Sequence, residues 1–342
     1  MSIFRLSPPY LAGANHVTLQ MMQVLLALVP AVVAMVYFFG YGVLVNITLA
    51  VAVALATEAL MLKIRERPVK PFLSDGSAVV TAVLLALAIP PLSPWWLTTV
   101  GVVFAIVFAK HLYGGLGYNP FNPAMVGYVL LLLSFPVEMT TWLPVASMSQ
   151  QPVDLMMAIS FVFTGQLPGA LTMDTLSGAT PLDAMKTQIS QLRPPEVIMN
   201  QPLFGMFSGK GWEWVNFWFL LGGIYLIYKR VISWHVPVAM IGTLFVISGI
   251  FQLIAPELTG TPMFHLFSGA TMIGAFFIAT DPVSGSTTLK GRLIFGAGVG
   301  LLTFVIRVWG GYPDGVAFAV ILMNMLVPLI DYYTQPRVYG AR

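Results

Sequence analysis

One stretch of the chain has residue types and spacing suited to covalent chemistry: Asp174-Thr175-Leu176-Ser177-Gly178-Ala179-Thr180-Pro181. Thr180 presents a hydroxyl open to modification. Gly178 and Ala179 leave the backbone ahead of it clear for a large enzyme or cofactor. Pro181 pre-organises the chain behind it. Asp174 and Ser177 are placed to help position the threonine for a nucleotide–metal donor. Read only as structure, the same residues make a polar loop with a Thr-Pro corner. Ser-Gly-Ala-Thr alone is suggestive, and the aspartate at its fixed spacing sharpens the pattern.

Everything around this stretch is apolar. Of 342 residues, 58% are hydrophobic and 8% charged, against about 25% charged in an average soluble domain. Mean hydropathy is +0.85. Such a chain belongs in a membrane. It has no cysteine, which excludes a Cys-ligated iron–sulfur cluster, a disulfide framework and thiol chemistry within the chain. Its four histidines, His16, His111, His235 and His265, show no paired spacing, so no metal site is expected. The net charge of +3 is small, and no nucleic-acid partner is expected. The first apolar run starts near Met21, behind a polar stretch holding Pro8, Pro9 and Asn15, and is too long for the core of a cleaved signal peptide.

A span needs about 20 apolar residues, or fewer if it is a broken helix buried in protein. Ten candidates follow: Met21–Phe39, Val43–Leu62, Ser77–Ile89, Trp96–Leu112, Pro123–Phe135, Trp214–Tyr228, Val236–Ile254, Leu266–Thr280, Leu293–Val308 and Gly315–Ile330. With the N-terminus in the cytoplasm, alternation places 12 of the 16 Lys and Arg there. Only Lys186, Arg193, Lys210 and Arg307 fall on the other side. One span more or fewer would misplace half of the basic clusters, so the bias supports ten spans with both termini cytoplasmic. The expected organisation is a single all-α polytopic membrane domain over 1–342. Its segment 136–212, between spans five and six, lies outside the cytoplasm and carries the Asp174–Thr180 stretch. Asp75-Gly76-Ser77-Ala78 and Asp314-Gly315-Val316-Ala317 echo one another faintly from opposite halves, as in transporter-like folds built from repeats with broken helices.

Other segments carry two readings each. Asn119-Pro120-Phe121-Asn122-Pro123 follows a glycine-rich run that includes Gly114 and Gly115. Irregular backbone at membrane depth is covered by protein or lines a cavity. These four residues, Gly114, Gly115, Asn119 and Asn122, are therefore either a candidate inner cofactor site or a re-entrant turn with capping asparagines. Asp281, Asp75 and Asp314 read equally as functional carboxylates and as turn or cap residues. Glu58 reads as snorkelling or as paired with Lys63 or Arg65. Trp212, Trp214 and Trp218 read as an interfacial belt in preference to a platform for a flavin or quinone ring.

Asp174-x-x-Ser177-Gly178-Ala179-Thr180 resembles the flavinylation motif D-x-x-[ST]-G-A-T. In that motif a flavin transferase joins FMN from FAD to the final threonine through a phosphoester. The whole chain is similar to the RnfD family of the Rnf ion-translocating electron-transport complex. The likeness takes in Ser74-Asp75-Gly76, Lys110-His111-Leu112-Tyr113-Gly114-Gly115, Asn119-Pro120-Phe121-Asn122-Pro123, Gly211-Trp212-Glu213-Trp214-Val215-Asn216, Ala279-Thr280-Asp281-Pro282 and Tyr312-Pro313-Asp314-Gly315. The sister family, the NqrB subunit of the sodium-translocating NADH:quinone reductase, usually has a longer N-terminal extension and differs before its sixth span. Ser7-Pro8-Pro9-Tyr10 departs from the Ser-Pro-His frequent in the RnfD family.

The resemblance implies an inverted-repeat bundle like that of urea transporters, in a bacterial inner membrane. It implies covalent FMN on Thr180 and a second, non-covalent riboflavin within the bundle. The implied partners are the other Rnf complex subunits, among them the flavin-bearing RnfG subunit and the NADH-oxidising RnfC subunit. Electrons would cross the bundle between ferredoxin- and NADH-linked partners, coupled to sodium or proton movement, and the chain alone would not be an enzyme. The rival readings are the NqrB subunit of the reductase and a small-solute channel.

Overall fold

Asparagine, glycine and proline set the helix boundaries. The computed structural model describes residues 16–148, 153–166 and 177–336, so Asp174 and the basic residues Arg5, Arg337 and Arg342 lie outside the described residues. Among the described residues there is no β-strand, only two isolated bridges, Trp142 to Gly178 and Phe204 to Gly209.

The chain opens with α1 (His16–Phe39) and α2 (Gly42–Ile64), followed by a short α3 (Val69–Leu73) and by α4 (Ser77–Ala88). Asp75 starts α4 by accepting from the backbone N–H of Ser77 at 2.7 Å. Pro90 and Pro91 follow its end, and their carbonyls accept from the amide of Asn46 on α2 at 2.9 and 3.1 Å. Next come α5 (Trp95–Phe104), which continues as a π-helix over Ala105–His111, and α6 (Pro123–Ser134). Asn122 caps α6, its side chain accepting from Met125 N at 3.2 Å, with Pro123 at the first helical position.

The second half has a comparable order: α11 (Trp212–Tyr228), α12 (His235–Ile254), a broken span, then α15 (Leu289–Trp309) and α16 (Val316–Thr334). The broken span consists of α13 (Pro262–Phe267) and α14 (Thr271–Ile273), the latter continuing as a π-helix over Gly274–Ile278. Between α6 and α11 the described residues form four short helices: α7 (Pro136–Thr140), α8 (Leu155–Thr164), α9 (Pro181–Ser190) and α10 (Pro195–Met199).

By length and composition, six helical segments among the described residues can cross a membrane, or seven if the bent pair around Ser268–Ala270 is one span. The spacing of apolar runs predicts ten. The shortfall has a physical origin in the short elements. One of the six joins α3 to α4 over Val69–Ala88, so the missing spans are α5 with its π-helix (Trp95–His111), α11 of 17 residues, and α6, which buries Pro123 to Met125, Gly127, Leu131 and Leu132. A helix wrapped by protein need not match the width of the lipid. The outer faces of the long helices remain apolar and exposed, as at Val33, Leu253 and Leu329, which suits a multi-pass membrane protein.

Small residues set the closest packing. On α15, Gly296 and Gly300 lie one turn apart against α12. A Cβ added at either would come within 2.5 Å of Val236 O or 2.4 Å of Met240 O. Backbones meet at this separation in membrane bundles because only a glycine leaves room.

The described parts of segment 136–212 gather at the end of the bundle where α1 finishes. There the backbone N–H of Ala146 donates to Phe38 O at 2.8 Å. Leu182, Met185 and Ile198 from α9 and α10 form a small core of their own with Phe204 and Phe264. This end of the molecule is the motif end below, and the end carrying Arg65, His111 and Asn122 is the far end.

Candidate functional site

Thr180 is half-buried and caps α9, its hydroxyl oxygen accepting from Asp183 N at 3.3 Å. The residues before it are held by an isolated bridge in which Gly178 N donates to Trp142 O at 2.8 Å. Behind it, Pro181 rests on the bare backbone of Gly209. Ser177 and Gly178 are partly exposed and Ala179 is exposed, so this part of the motif is accessible. Nothing in the packing requires glycine at 178. A Cβ there would meet only Pro144, at 3.5 Å, an ordinary contact.

Thr180 lies on the wall of a cleft of about 1090 Å³, counting its open mouth. Trp142, Trp212, Tyr128 and Tyr312 line it, and Asp314 and Asp183 contribute carboxylates. The rings of Trp142 and Trp212 are 5.0 Å apart between centroids, and Trp212 also meets Phe39 at 4.9 Å. Aromatic walls with a few convergent polar groups suit a planar ring system. The expected tryptophan belt therefore splits. Trp214 and Trp218 are exposed, as an interface requires, whereas Trp212 lines the cleft. Trp142, Tyr128 and Tyr312 escape a reading of the sequence, because a lone aromatic in an apolar chain gives no local signal.

A polar frame fixes the cleft. Asp314 accepts from Ala270 N at 2.7 Å, ahead of the second half of the broken span. The same carboxylate pairs with Arg307, whose Nε and Nη2 lie 3.1 and 3.0 Å from Oδ1. Arg307 is buried and also donates to the carbonyls of His265 and Ser268 and to Thr271 Oγ1 at 2.6, 3.2 and 2.9 Å. On α9, six residues beyond Thr180, Lys186 donates to Tyr312 O at 2.9 Å and to the carbonyls of Gly310 and Ile306. Burial lowers the affinity of the Lys186 ammonium for its proton, with Asp183 acting in the opposite direction. One side chain thus anchors the motif helix to the last turn of α15 and to the turn that follows it.

A second cleft, of about 820 Å³ with its mouth, opens at the far end. Asn119 and Asn122 line it together with Ser77, Lys110, Thr280 and Asp281. Asn122 is the cap of α6, and its amide also donates to Ile278 O at 3.4 Å while its backbone N–H donates to Asn324 at 3.2 Å. Asn119 instead bridges the turn, donating to Phe121 O at 3.0 Å. Gly114 and Gly115 take positive φ, 130° and 100°. They sit beside this cleft, with Tyr118 and Arg65 as their respective neighbours, and are not among the residues lining it.

The two clefts share one design. Each meets the first turn of one short helix and the last turn of the other. Gly269, Ala270 and Ile273 face Leu87 and Ala88 at the motif end. Ser77, Val80 and Thr81 face Thr280 and Asp281 at the far end. In each half a buried cation reaches the hydroxyl that opens the short helix. Lys110 donates to Ser77 Oγ at 2.8 Å, and Arg307 to Thr271 Oγ1 at 2.9 Å. Both cations are neutralised by a carboxylate, Glu58 or Asp314. Glu58 therefore neither snorkels nor pairs with Lys63 or Arg65. It is buried, and both of its oxygens accept from Lys110, at 2.8 and 2.9 Å.

The sequence model of the NQR2, RnfD, RnfE family matches residues 5–340. A protein of Aliivibrio salmonicida (strain LFI1238), named as the D-type subunit of an ion-translocating oxidoreductase complex, is 53% identical over 349 residues, covering 100% of this chain and 99% of its own length. Proteins of the same name in Vibrio vulnificus (strain YJ016) and Pectobacterium carotovorum subsp. carotovorum (strain PC1) are each 52% identical. The first match covers 99% of this chain and 100% of the relative, and the second 98% of each.

Proposed function

The chain belongs to the NQR2, RnfD, RnfE family, and from this premise we propose that it is the RnfD subunit of an ion-translocating electron-transport complex, carrying electrons through an FMN esterified to Thr180. The observation that carries the cofactor assignment is the position of Thr180 on the wall of an aromatic cleft. A flavin accepts one or two electrons, which suits a carrier between unlike partners. Around it, Trp142 and Trp212 would flank the ring system, and Arg307, paired with Asp314, would hold the first turn of the short helix in place. The partial positive charge at that turn would favour a reduced, more electron-rich ring. The names of the relatives at 52–53% identity favour RnfD over the NqrB subunit of the same family.

The matched order of helices in the two halves and the mirrored clefts support ten crossings arranged as an inverted repeat, with α4 and the broken span as the discontinuous elements. The basic residues support a cytoplasmic far end and an outer motif end, in a bacterial inner membrane. At the outer end the flavin would meet the RnfG subunit. At the cytoplasmic end, Asn119 and Asn122 offer amide donors and acceptors to a non-covalent riboflavin, on the route towards the RnfC subunit. A flavin transferase would reach the exposed Ser177–Ala179 face during maturation.

The test is flavin fluorescence of the purified protein on a denaturing gel, with intact mass to count covalent flavins. The expected result is one fluorescent band that disappears in Thr180→Ala. A dark wild-type band, or fluorescence that survives the substitution, overturns the assignment.

A further inference from the structure

The far-end cleft borders a buried charge cluster that neither the family assignment nor the proposed flavin uses. Lys110 lies on the cleft wall and, like Glu58 and His111, is nearly inaccessible, with its ammonium on both oxygens of Glu58 and on Ser77 Oγ. Ser77 passes the chain on, donating to Asp75 Oδ1 at 2.6 Å. On the other side, His111 Nε2 lies 3.2 Å from Glu58 Oε2, and His111 Nδ1 lies 3.3 Å from Arg65 Nη1. Asp75 and Arg65 are both partly exposed. Polar contacts therefore run from the surface, along the cleft wall, and back to the surface, the link from His111 Nε2 to Glu58 being a close approach without hydrogen-bond geometry. Ionisable groups inside a membrane protein cost free energy unless paired, and they mark ion and proton paths.

The donors and acceptors fix one tautomer. Arginine can only donate, so His111 Nδ1 must be the acceptor of that contact. The neutral ring then carries its proton on Nε2, facing Glu58. A second proton can enter only at Nδ1, and it would oppose the Arg65 N–H there. Arg65 retains a second bond, to His111 O at 3.2 Å, so the guanidinium can swing without leaving the rim. The charged groups facing His111 are then Glu58 and Arg65 from α2, Lys110 from its own helix and, through Ser77, Asp75; Asp281 stands across the cleft. With His111 neutral, Glu58 and Asp75 balance Lys110 and Arg65.

We infer that Glu58, Lys110 and His111 form a proton-loading site on the cytoplasmic side: an electron entering the far-end cleft draws one proton from water onto His111 Nδ1, and the proton leaves when the electron does. The inference rests on the proposed flavin in that cleft. The electron comes from the flavin on Thr180, the proton from bulk water, and no other bond changes. The imidazolium, paired with Glu58, offsets the charge placed across the cleft wall.

The test uses the whole complex with its flavins. Proton uptake on chemical reduction is followed with an indicator dye in weakly buffered medium, and extractable flavin is measured in the same samples. Wild type is expected to take up protons on reduction. In His111→Gln the uptake should fall by one proton per far-end flavin at unchanged flavin content. Arg65→Leu frees Nδ1 and lets the proton bind before reduction, so uptake at reduction should also fall, and this variant leaves the buried trio intact if His111→Gln does not assemble. Full flavin content with wild-type uptake in either variant overturns the inference alone. Absence of extractable flavin from the wild-type complex overturns the far-end flavin reading and the inference with it.

Discussion

Pro181 lies directly on Gly209: a Cβ added to Gly209 would fall 1.9 Å from Pro181 Cγ. The proline ring is fixed to the chain immediately after Thr180, so this contact sets where the threonine stands at the cleft. Gly209→Ala cannot be accommodated without displacing Pro181. Overpacking of this kind costs about 1–3 kcal/mol. The expected outcome is a folded, less thermostable protein with reduced covalent flavin, read as gel fluorescence per mole of protein. Full fluorescence would mean that the register of Thr180 is not held by this contact.

Thr180 caps α9, and the proposed function gives it a second, separable role as attachment point. As a cap its oxygen serves Asp183 N, and losing such a cap costs about 0.5–2 kcal/mol. Asparagine caps as well as threonine but cannot form the phosphoester. Thr180→Asn should therefore keep the stability of the parent and lose all covalent flavin, whereas Thr180→Ala should lose both. Melting curves of the flavin-free proteins separate the two effects.

Gly178 offers the reverse case. The fold has room for a methyl group at this position, with Pro144 at 3.5 Å. If the glycine serves the approach of the transferase or the flavin, Gly178→Ala should melt within about 0.5 kcal/mol of wild type, as substitutions in open positions do, yet incorporate less flavin. Equal loss of stability and flavin would instead point to a structural role.

These contacts show what could be read from the chain alone. The Asp174–Thr180 spacing could be singled out because it is local, and the count of basic residues depends only on order along the chain. Asn122 could be read as a cap for the same reason, since Pro123 and an apolar run follow it. The walls of the cleft could not be. Trp142, Tyr128 and Tyr312 reach the cleft that Thr180 lines from three separate parts of the chain, and no short-range pattern records that meeting. Glu58 shows a second limit. Lys63 and Arg65 are near in sequence, but α2 carries them past the end of the buried region, while Lys110 comes in from the π-helical end of α5 at the depth of the carboxylate. Helix length was the weakest guide. Elements largely covered by protein, such as the 12-residue α6, are free of the length that lipid imposes.

Arg307 and Asp314 give the strongest expected effect on stability. The buried guanidinium donates to the His265 and Ser268 carbonyls, to Thr271 Oγ1 and, through Nε and Nη2, to Asp314. Arg307→Ala would take one donor from each of these groups, leaving the two carbonyls only Thr271 Oγ1, and would leave the Asp314 carboxylate without its cationic partner. Breaking a buried pair from one side costs about 3–5 kcal/mol. Asp314→Asn is milder, because the amide oxygen can still accept from Arg307 and from Ala270 N, although the charge is lost. Both substitutions act on the turn before Thr271, where the broken span enters the aromatic cleft. The expected order of thermal stability is wild type, then Asp314→Asn, then Arg307→Ala. Because the same turn borders the proposed flavin, its visible absorbance and midpoint potential should shift in Asp314→Asn while covalent flavin content stays full. An unchanged potential with lowered stability would leave the pair a purely structural tie between α15 and the broken span.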